Sequence, residues 1–220
     1  MAKVRVIEVH ENVFNTNNQE ADALRKRLKD KKVTMINVMS SPGSGKTTLL
    51  SHVINEIKDD YKVGVMDVDI ETSLDAQKVA DFTGVPSIQI HNGGLCHIDA
   101  EMTTRAVDEF GVDDFDFLFL ENIGNLVCPA EFDTGAHKNM MILSVPEGDD
   151  KPLKYPLMFS VCDLVLISKM DTLDYFDFDI EKAKENIKNL NPNAKIICVS
   201  AKSGEGMDEF VGWLKETINN

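Results

Sequence analysis

The chain alternates between short apolar runs and longer stretches in which apolar and polar residues are mixed. Several of the apolar runs contain almost no polar residue, which is typical of strands buried on both faces of a parallel sheet. Seven strands are predicted on this basis: Val33–Met39, Lys62–Asp67, Ser87–Ile90, Phe115–Glu121, Met140–Ser144, Leu164–Ser168 and Lys195–Ser200.

Helical spacing separates most of these runs. The final stretch is the clearest, because Met207, Phe210, Val211, Leu214 and Ile218 fall on one face of a helix. Other helices are predicted over Thr48–Lys58, Ile98–Phe110 and Ile180–Leu190. Strands that alternate with helices predict an α/β, doubly wound fold with a mostly parallel sheet of about seven strands.

The same pattern divides the chain into two parts. Residues 33–220 contain all the predicted strands and form the predicted domain. Residues 1–32 contain an amphipathic stretch, Gln19–Lys29, but no clear strand. This N-terminal extension is interpreted either as a partner-binding segment or as an extra helix that covers the core. The connections 122–139 and 145–160 are long, and long loops in a compact domain are often functional.

Composition narrows the classes of partner. The 220 residues include 37 acidic and 23 basic side chains, giving a formal charge of −14. Such a surface repels phosphate backbones and anionic lipids, so we expect no nucleic acid and no membrane partner. No apolar run approaches the roughly 20 residues that span a bilayer, and the first residues lack the apolar core of a signal peptide. We therefore expect a cytoplasmic protein whose four cysteines are thiols.

A glycine-rich segment follows the first predicted strand and opens a predicted helix. Residues 40–48 read Ser-Ser-Pro-Gly-Ser-Gly-Lys-Thr-Thr, the pattern of a P-loop that wraps phosphates with backbone N–H groups. Lys46 would bring positive charge to the β- and γ-phosphates, and the Thr47 hydroxyl suits Mg²⁺. A glycine usually opens this motif, and Ser40 takes its place here. The predicted nucleotide contacts in this loop are Gly43, Ser44, Gly45, Lys46, Thr47 and Thr48.

Two later segments indicate which base is bound. Ser168-Lys169-Met170-Asp171 resembles the guanine-reading box of GTPases with Ser in place of Asn. The Asp171 carboxylate can accept from the ring N–H and the exocyclic amine of guanine, whereas adenine offers no such donor pair. Lys169 can pack along the base. Ser200-Ala201-Lys202 ends the next strand and resembles the fifth GTPase box, so both segments favour GTP over ATP.

Acidic residues follow two of the other strands. Glu121 ends a buried run, and we interpret Glu121 and Asp69 as ligands on the Mg²⁺ side. Asp75 is a candidate for positioning the attacking water, and the Gly124 N–H could meet the γ-phosphate. Asp67 is interpreted as a solvated loop charge. The predicted catalytic residues are Lys46, Asp75 and Glu121.

Cysteine and histidine side chains indicate a second metal. Cys96 and His97 are adjacent, and Cys128 lies in the loop that begins near Glu121. Thiolate and imidazole suit Zn²⁺ or Ni²⁺ and not Mg²⁺. Three ligands from one chain leave coordination positions open, which a two-fold dimer could fill. Cys162 and Cys198 lie in or beside apolar runs and are interpreted as core residues.

At these motifs the chain resembles the HypB family. The similarity is carried by Met39–Leu50, Glu121–Asp133 and Glu147–Pro156, and it extends over about residues 33–215. The resemblance implies a SIMIBI-class GTPase that dimerises with nucleotide and binds nickel or zinc at a site matching Cys96, His97 and Cys128. It also implies cooperation with a HypA-type nickel chaperone, contacted by the N-terminal extension, in maturing the [NiFe]-hydrogenase large subunit. The cysteine-rich and histidine-rich N-terminal tracts of some members are absent from this sequence.

Three alternatives to a GTP-hydrolysing metallochaperone stay open at this point. A P-loop kinase would need an acceptor site and an arginine-rich lid. A metal carrier could use GTP only to stabilise its fold. A urease-type nickel GTPase is the third, although the adjacent Cys96 and His97 differ from the Cys-x-His motif expected there. No arginine finger is evident, so a GTPase of this sequence should turn over slowly.

Overall fold

A computed structural model describes residues 10–69 and 74–218, with side chains described for 14–69 and 76–218. Its strands are β1 (Thr34–Ser40), β2 (Val63–Val68), β3 (Ser87–Ile90), β4 (Phe117–Gly124), β5 (Lys138–Ser144), β6 (Leu164–Ser168) and β7 (Lys195–Cys198). They form one sheet in the order β3-β2-β4-β1-β5-β6-β7, and each neighbouring pair is parallel. The predicted α/β fold class is confirmed.

Strand β4 extends further than its sequence pattern predicts. The apolar run ends at Leu120, but the strand continues through polar residues as far as Gly124. It can continue because Gly124 still aligns with Ser40 of β1, after a shift in register. Conversely, β7 ends at Cys198, two residues before the predicted end at Ser200. The Ser200 N–H donates to the Glu205 carbonyl, which turns the chain away from the sheet.

Helices connect the strands on both faces of the sheet. They are α1 (His10–Asp30), α2 (Lys46–Ile57), α3 (Leu74–Thr83), α4 (Ala100–Phe110), α5 (Cys128–Glu131), α6 (Lys151–Lys154), α7 (Pro156–Ser160), α8 (Ile180–Leu190) and α9 (Met207–Ile218). Two 3₁₀ helices cover Val145–Glu147 and Met170–Tyr175. The two connections interpreted as long loops therefore contain short helices. No helix among residues 10–69 and 74–218 is long and apolar enough to cross a membrane.

The core lies on the two faces of the sheet, and β1 shows how. Ile36 and Val38 pack on the face covered by α2 and α9, while Met35 and Met39 belong to apolar clusters on the other face. This division follows from the alternation of side chains along a strand. The predicted apolar face of α9 is buried or partly buried in the apolar cluster that contains Ile36 and Val38.

Helix α1 packs against the sheet face opposite α2. Its Ala21, Leu24 and Leu28 are at most 2% exposed, and Leu24 and Leu28 share an apolar cluster with Leu118 of β4. At Gly135 the chain passes so close to this helix that an added Cβ would lie 2.9 Å from Leu24 Cδ2. The amphipathic stretch within α1 thus covers the core. Residues 1–9 of the extension lie outside the described residues.

Candidate functional site

The phosphate loop joins the end of β1 to the first residue of α2. Gly43 and Gly45 have φ values of 73° and 94°, a left-handed conformation that glycine adopts at little cost. Lys46 Nζ donates to Ser40 Oγ at 3.0 Å, and Ser44 Oγ donates to the same oxygen at 2.6 Å. Ser40 is fully buried, so the residue that replaces the usual glycine holds the lysine against the base of the loop.

The end of β4 packs directly against the phosphate loop. A Cβ added at Gly124 would lie 2.9 Å from Pro42 N and 3.0 Å from Pro42 Cα. Real Cβ atoms do not approach backbone this closely, so the strand and the loop can touch only because residue 124 is glycine. Direct backbone contact therefore fixes the distance between the phosphate loop and β4.

Of the acidic residues singled out in the sequence, Glu121 lies directly beside the loop. Thr47 Oγ1 donates to Glu121 Oε1 at 2.7 Å, and Glu121 is 2% exposed. Asp67 aligns with Glu121 on the neighbouring strand and is 3% exposed. Its interpretation as a solvated loop charge is wrong, because β2 continues one residue beyond it and keeps its side chain in the sheet. Asp69 follows β2 and is half-buried, whereas the Asp75 side chain lies outside the described residues.

A cavity of about 610 Å³ opens over these groups. Gly43, Gly45, Lys46, Thr47, Thr48 and Glu121 line it, all of them predicted from the sequence. Its remaining wall comes from α2 and α3, through residues that sequence reasoning missed. That wall consists of Ser51, His52, Lys78, Asp81 and Phe82. They carry no motif: Ser51 and His52 lie further along α2 after the phosphate loop, and the other three enter the site through the packing of α3 beside α2.

The two guanine-type segments meet beside the phosphate loop. Lys169 adopts φ 61°, and its Nζ donates to the Gly43 carbonyl at 2.9 Å. Ser200 Oγ donates to Asp171 Oδ1 at 2.7 Å, while Lys202 Nζ lies 3.7 Å from Asp171 Oδ2. The hydrogen bond from Ser200 lowers the pKa of the Asp171 carboxyl, and Lys202 adds to this effect. The Ser200 hydrogen bond thus orients the carboxylate and stabilises its ionised form.

The predicted transition-metal residues also come together. The Cys96 and Cys128 sulfurs are in direct contact, although 32 residues separate the two, and both cysteines are free. The Cys96 thiol lies 3.9 Å from His97 Nδ1, and the His97 ring stacks on Phe132 at 3.8 Å with 7° between the planes. Hydrogen bonding to Cys128 raises the pKa of Cys96. Asn125 Nδ2 donates to the Cys96 carbonyl at 3.2 Å, tying the two loops together.

Comparison with known proteins identifies the family. Residues 34–198 match the model of the CobW/HypB/UreG nucleotide-binding domain. The chain is 45% identical over 215 residues to hydrogenase maturation factor HypB of Escherichia coli K12, covering 98% of this chain and 74% of that one. It is 34% identical to the probable HypB of Methanocaldococcus jannaschii, covering 99% and 98%. The chain belongs to the HypB family.

Solved HypB structures have the same fold. HypB from Archaeoglobus fulgidus superposes with a TM-score of 0.86 at 36% identity, covering 93% of this chain and 99% of that one. HypB from Helicobacter pylori, solved in complex with nickel, gives 0.86 at 40% identity, covering 93% and 95%. The signal recognition particle 54 kDa protein of Aeropyrum pernix and the receptor FtsY of Elizabethkingia anophelis share the fold alone, at 12% and 16% identity.

In this HypB-family chain the two predicted sites differ in completeness. The nucleotide site has its phosphate loop, carboxylate and base-reading segments in contact. Among the residues that the structure describes, no group of three or more His, Cys, Asp or Glu side chains is arranged to hold a metal ion. Two thiols meet and His97 lies beside them with its ring against Phe132, so the chain brings two thiols, of the type that soft metals prefer, and one neighbouring imidazole to this surface.

Proposed function

We propose that this chain is a GTP-hydrolysing metallochaperone that binds Ni²⁺ or Zn²⁺ and assists nickel insertion into [NiFe]-hydrogenase. Hydrolysis and metal binding are coupled, and the coupling runs through the segment from Glu121 to Cys128. The hydrogenase maturation role of the curated relatives and the nickel complex of H. pylori HypB support this assignment.

One observation carries the proposal: a single short segment contacts both sites. It begins at Glu121, which accepts from Thr47 of the phosphate loop, and passes Gly124, which packs on Pro42. It ends at Cys128, whose sulfur meets that of Cys96. A change in the phosphates would shift the start of the segment, and the thiol at its end would move with it.

Thr47 and Glu121 fit a magnesium ion. Their oxygens lie 2.7 Å apart beside the phosphate loop, and hydroxyl and carboxylate oxygens are ligands that Mg²⁺ accepts. When bound, the ion would neutralise charge that develops on the phosphates. Asp69 and Asp75 follow β2 and are proposed to complete the magnesium side and to orient the attacking water. Lys46 is proposed to leave Ser40 for the phosphates.

Turnover should be slow in the isolated chain. No arginine lines the nucleotide cavity among the residues that the structure describes, and an arginine finger contributes about 10³–10⁵-fold to such reactions. Phosphate release well below one per second is expected, and none from Lys46→Ala. If the wild type and Lys46→Ala release phosphate equally slowly, at the level of buffer, the chain is a carrier rather than an enzyme.

Guanine selectivity tests the nucleotide half of the proposal. Asp171→Asn should weaken GTP binding about 100-fold, because the base loses a charged acceptor for two N–H groups. Asp174→Asn is the control, since Asp174 is an exposed carboxylate of the same 3₁₀ turn. Isothermal titration with GTP and ATP measures both variants. Equal affinity of the wild type for ATP and GTP would contradict guanine reading and favour the kinase alternative.

The metal half of the proposal involves a second copy of the chain. Leu95 and Val127, each next to one of the paired cysteines, are 43% and 51% exposed. A two-fold, nucleotide-dependent homodimer would cover these apolar side chains and bring two thiol pairs and two His97 rings to one metal ion. A HypA-type nickel chaperone and the hydrogenase large subunit are the proposed partners in transfer, with nickel as the cargo.

Metal titration in two nucleotide states tests the coupling. Nickel and zinc affinities are measured with GDP and with GTPγS, and the elution mass is followed in parallel. We expect affinities that differ at least 5-fold, the lower end of ordinary coupling energies, and a larger elution mass with GTPγS. Cys128→Ser should abolish the difference, with Cys162→Ser as a control because Cys162 is a buried core thiol. Equal affinities would exclude the switch.

A further inference from the structure

Helix α1 contacts both segments that carry the proposed metal ligands. Asn17 of this helix is 5% exposed, and its side-chain amide is bonded at both ends. Oδ1 accepts from the Ala100 N–H at 2.9 Å, and Nδ2 donates to the Asp133 carbonyl at 3.0 Å. Ala100 lies three residues after His97, and Asp133 lies five residues after Cys128. One buried amide therefore joins the two ligand segments to each other.

Arg25 strengthens the contact to the second of these segments. Its Nη2 lies 2.7 and 2.8 Å from the two carboxylate oxygens of Asp133, and its Nε donates to the Ala136 carbonyl at 3.0 Å. The Asp133 carboxylate also accepts from the Gly135 N–H at 2.8 Å. The chain that follows Cys128 is thus fixed to α1 through both backbone and side-chain groups.

An aromatic column links the same helix to the proposed imidazole ligand. Phe14 of α1 lies 5.3 Å from Phe132, ring centroid to ring centroid, and Phe132 stacks on His97 at 3.8 Å. The ring of His97 therefore has one face covered, which restricts the directions in which its nitrogens can point.

We infer that α1 positions the metal ligands, with Asn17 as the residue that sets the spacing between the Cys96–His97 and Cys128 segments. The inference rests on the proposed metal site. Its physical reason is that α1 is anchored in the core by Leu24 and Leu28, so it is a fixed reference for the loop that carries Cys96 and His97 and for the short helix α5 that begins at Cys128. Groups that orient ligands in this way commonly change metal affinity 10–100-fold when removed.

Two variants of Asn17 test the inference. Asn17→Ala loses both hydrogen bonds, whereas Asn17→Asp keeps the acceptor for Ala100 and loses the donor to Asp133. Arg27→Ala is the matched control, because Arg27 lies on α1 but pairs with Asp108 of α4 at 2.7 Å, away from the thiols. Nickel affinity is measured by competition with a chromophoric chelator. Binding of phenylarsine oxide, which needs two adjacent thiols, is measured on the metal-free protein.

We expect both Asn17 variants to bind nickel about 10-fold more weakly and to capture the arsenical more slowly, with the nickel–thiolate absorption band shifted. Arg27→Ala should lower the melting temperature without changing the nickel affinity or the rate of arsenical capture. If the Asn17 variants lower only the melting temperature, the residue is merely structural and the inference is overturned. If the wild-type protein binds no nickel, the proposed function fails, while arsenical capture still decides whether Asn17 sets the thiol spacing.

Discussion

At the scale of single residues, Ser40 is the departure from pattern that the structure explains. Its hydroxyl accepts from Lys46 and Ser44 and donates to the Ser41 carbonyl at 2.8 Å. A glycine at this position would offer Lys46 no side-chain oxygen. The serine thus gives Lys46 an acceptor at the base of the loop, and we expect Lys46 to exchange this acceptor for phosphate oxygens when a nucleotide binds.

Replacing Ser40 by alanine should therefore raise the nucleotide affinity instead of lowering it. Of the three hydrogen bonds of the hydroxyl, only the Lys46 contact is expected to be given up on binding, so its loss should raise the free energy of the protein before binding by about 1 kcal/mol relative to the complex, the typical net contribution of a hydrogen bond. GDP would then bind up to about 5-fold more tightly. Calorimetric titration with GDP measures the change, and Ser41→Ala is the control because its side chain takes no part in the Lys46 contact. Weaker binding of GDP by Ser40→Ala would mean that the hydroxyl acts in the bound state instead.

At the scale of elements, the contact between β4 and the phosphate loop is the point at which the proposed metal site would be linked to the nucleotide site. The strand reaches Gly124 because Glu121 and Gly124 still align with Val38 and Ser40 of β1, on either side of a shift in register. Had β4 stopped at Leu120, where its apolar run ends, the loop that carries Cys128 would have no fixed distance from the nucleotide.

Gly124→Ala is expected to displace this loop. The added Cβ would meet the backbone of Pro42, which cannot move aside without carrying the phosphate loop with it. We expect GTP affinity to fall at least 10-fold, measured by fluorescence of a labelled nucleotide. Gly212→Ala in α9 is the matched control, since a Cβ there meets nothing within 4 Å and alanine favours a helix. Unchanged affinity in Gly124→Ala would refute the backbone contact as the support of the loop.

At the scale of the whole molecule, the charge of −14 acts on stability. Repulsion among surface carboxylates opposes folding, and salt screens it over about 10 Å at 0.1 M. The melting temperature should rise by a few degrees between 20 and 200 mM NaCl, since about 1 kcal/mol corresponds to roughly 2–4 °C in a chain of this size. Differential scanning calorimetry checks this. A falling melting temperature would show that surface ion pairs such as Arg27–Asp108 outweigh the repulsion.

The elements of the fold were predictable from local pattern. Seven strands and the helices Ile98–Phe110 and Ile180–Leu190 follow from runs and spacings that a few neighbouring residues define, although boundaries moved where polar residues stay paired, as at Gly124. Helix α3 escaped prediction, and with it Lys78 and Phe82 of the nucleotide cavity. Their role depends on how α3 packs beside α2, which no local pattern encodes.

Sequence by itself determined the parallel α/β fold and the phosphate loop, because buried strands and a glycine-rich turn before a lysine are set by chemistry within a few residues. The sequence already grouped Cys96 with Cys128, but only the tertiary structure decided that Asp67 is buried. It alone decided that Asn17 bonds to residues 83 and 116 positions away. Such contacts depend on the order of strands in the sheet, which brings distant segments together and which the linear pattern of apolar and polar residues does not specify.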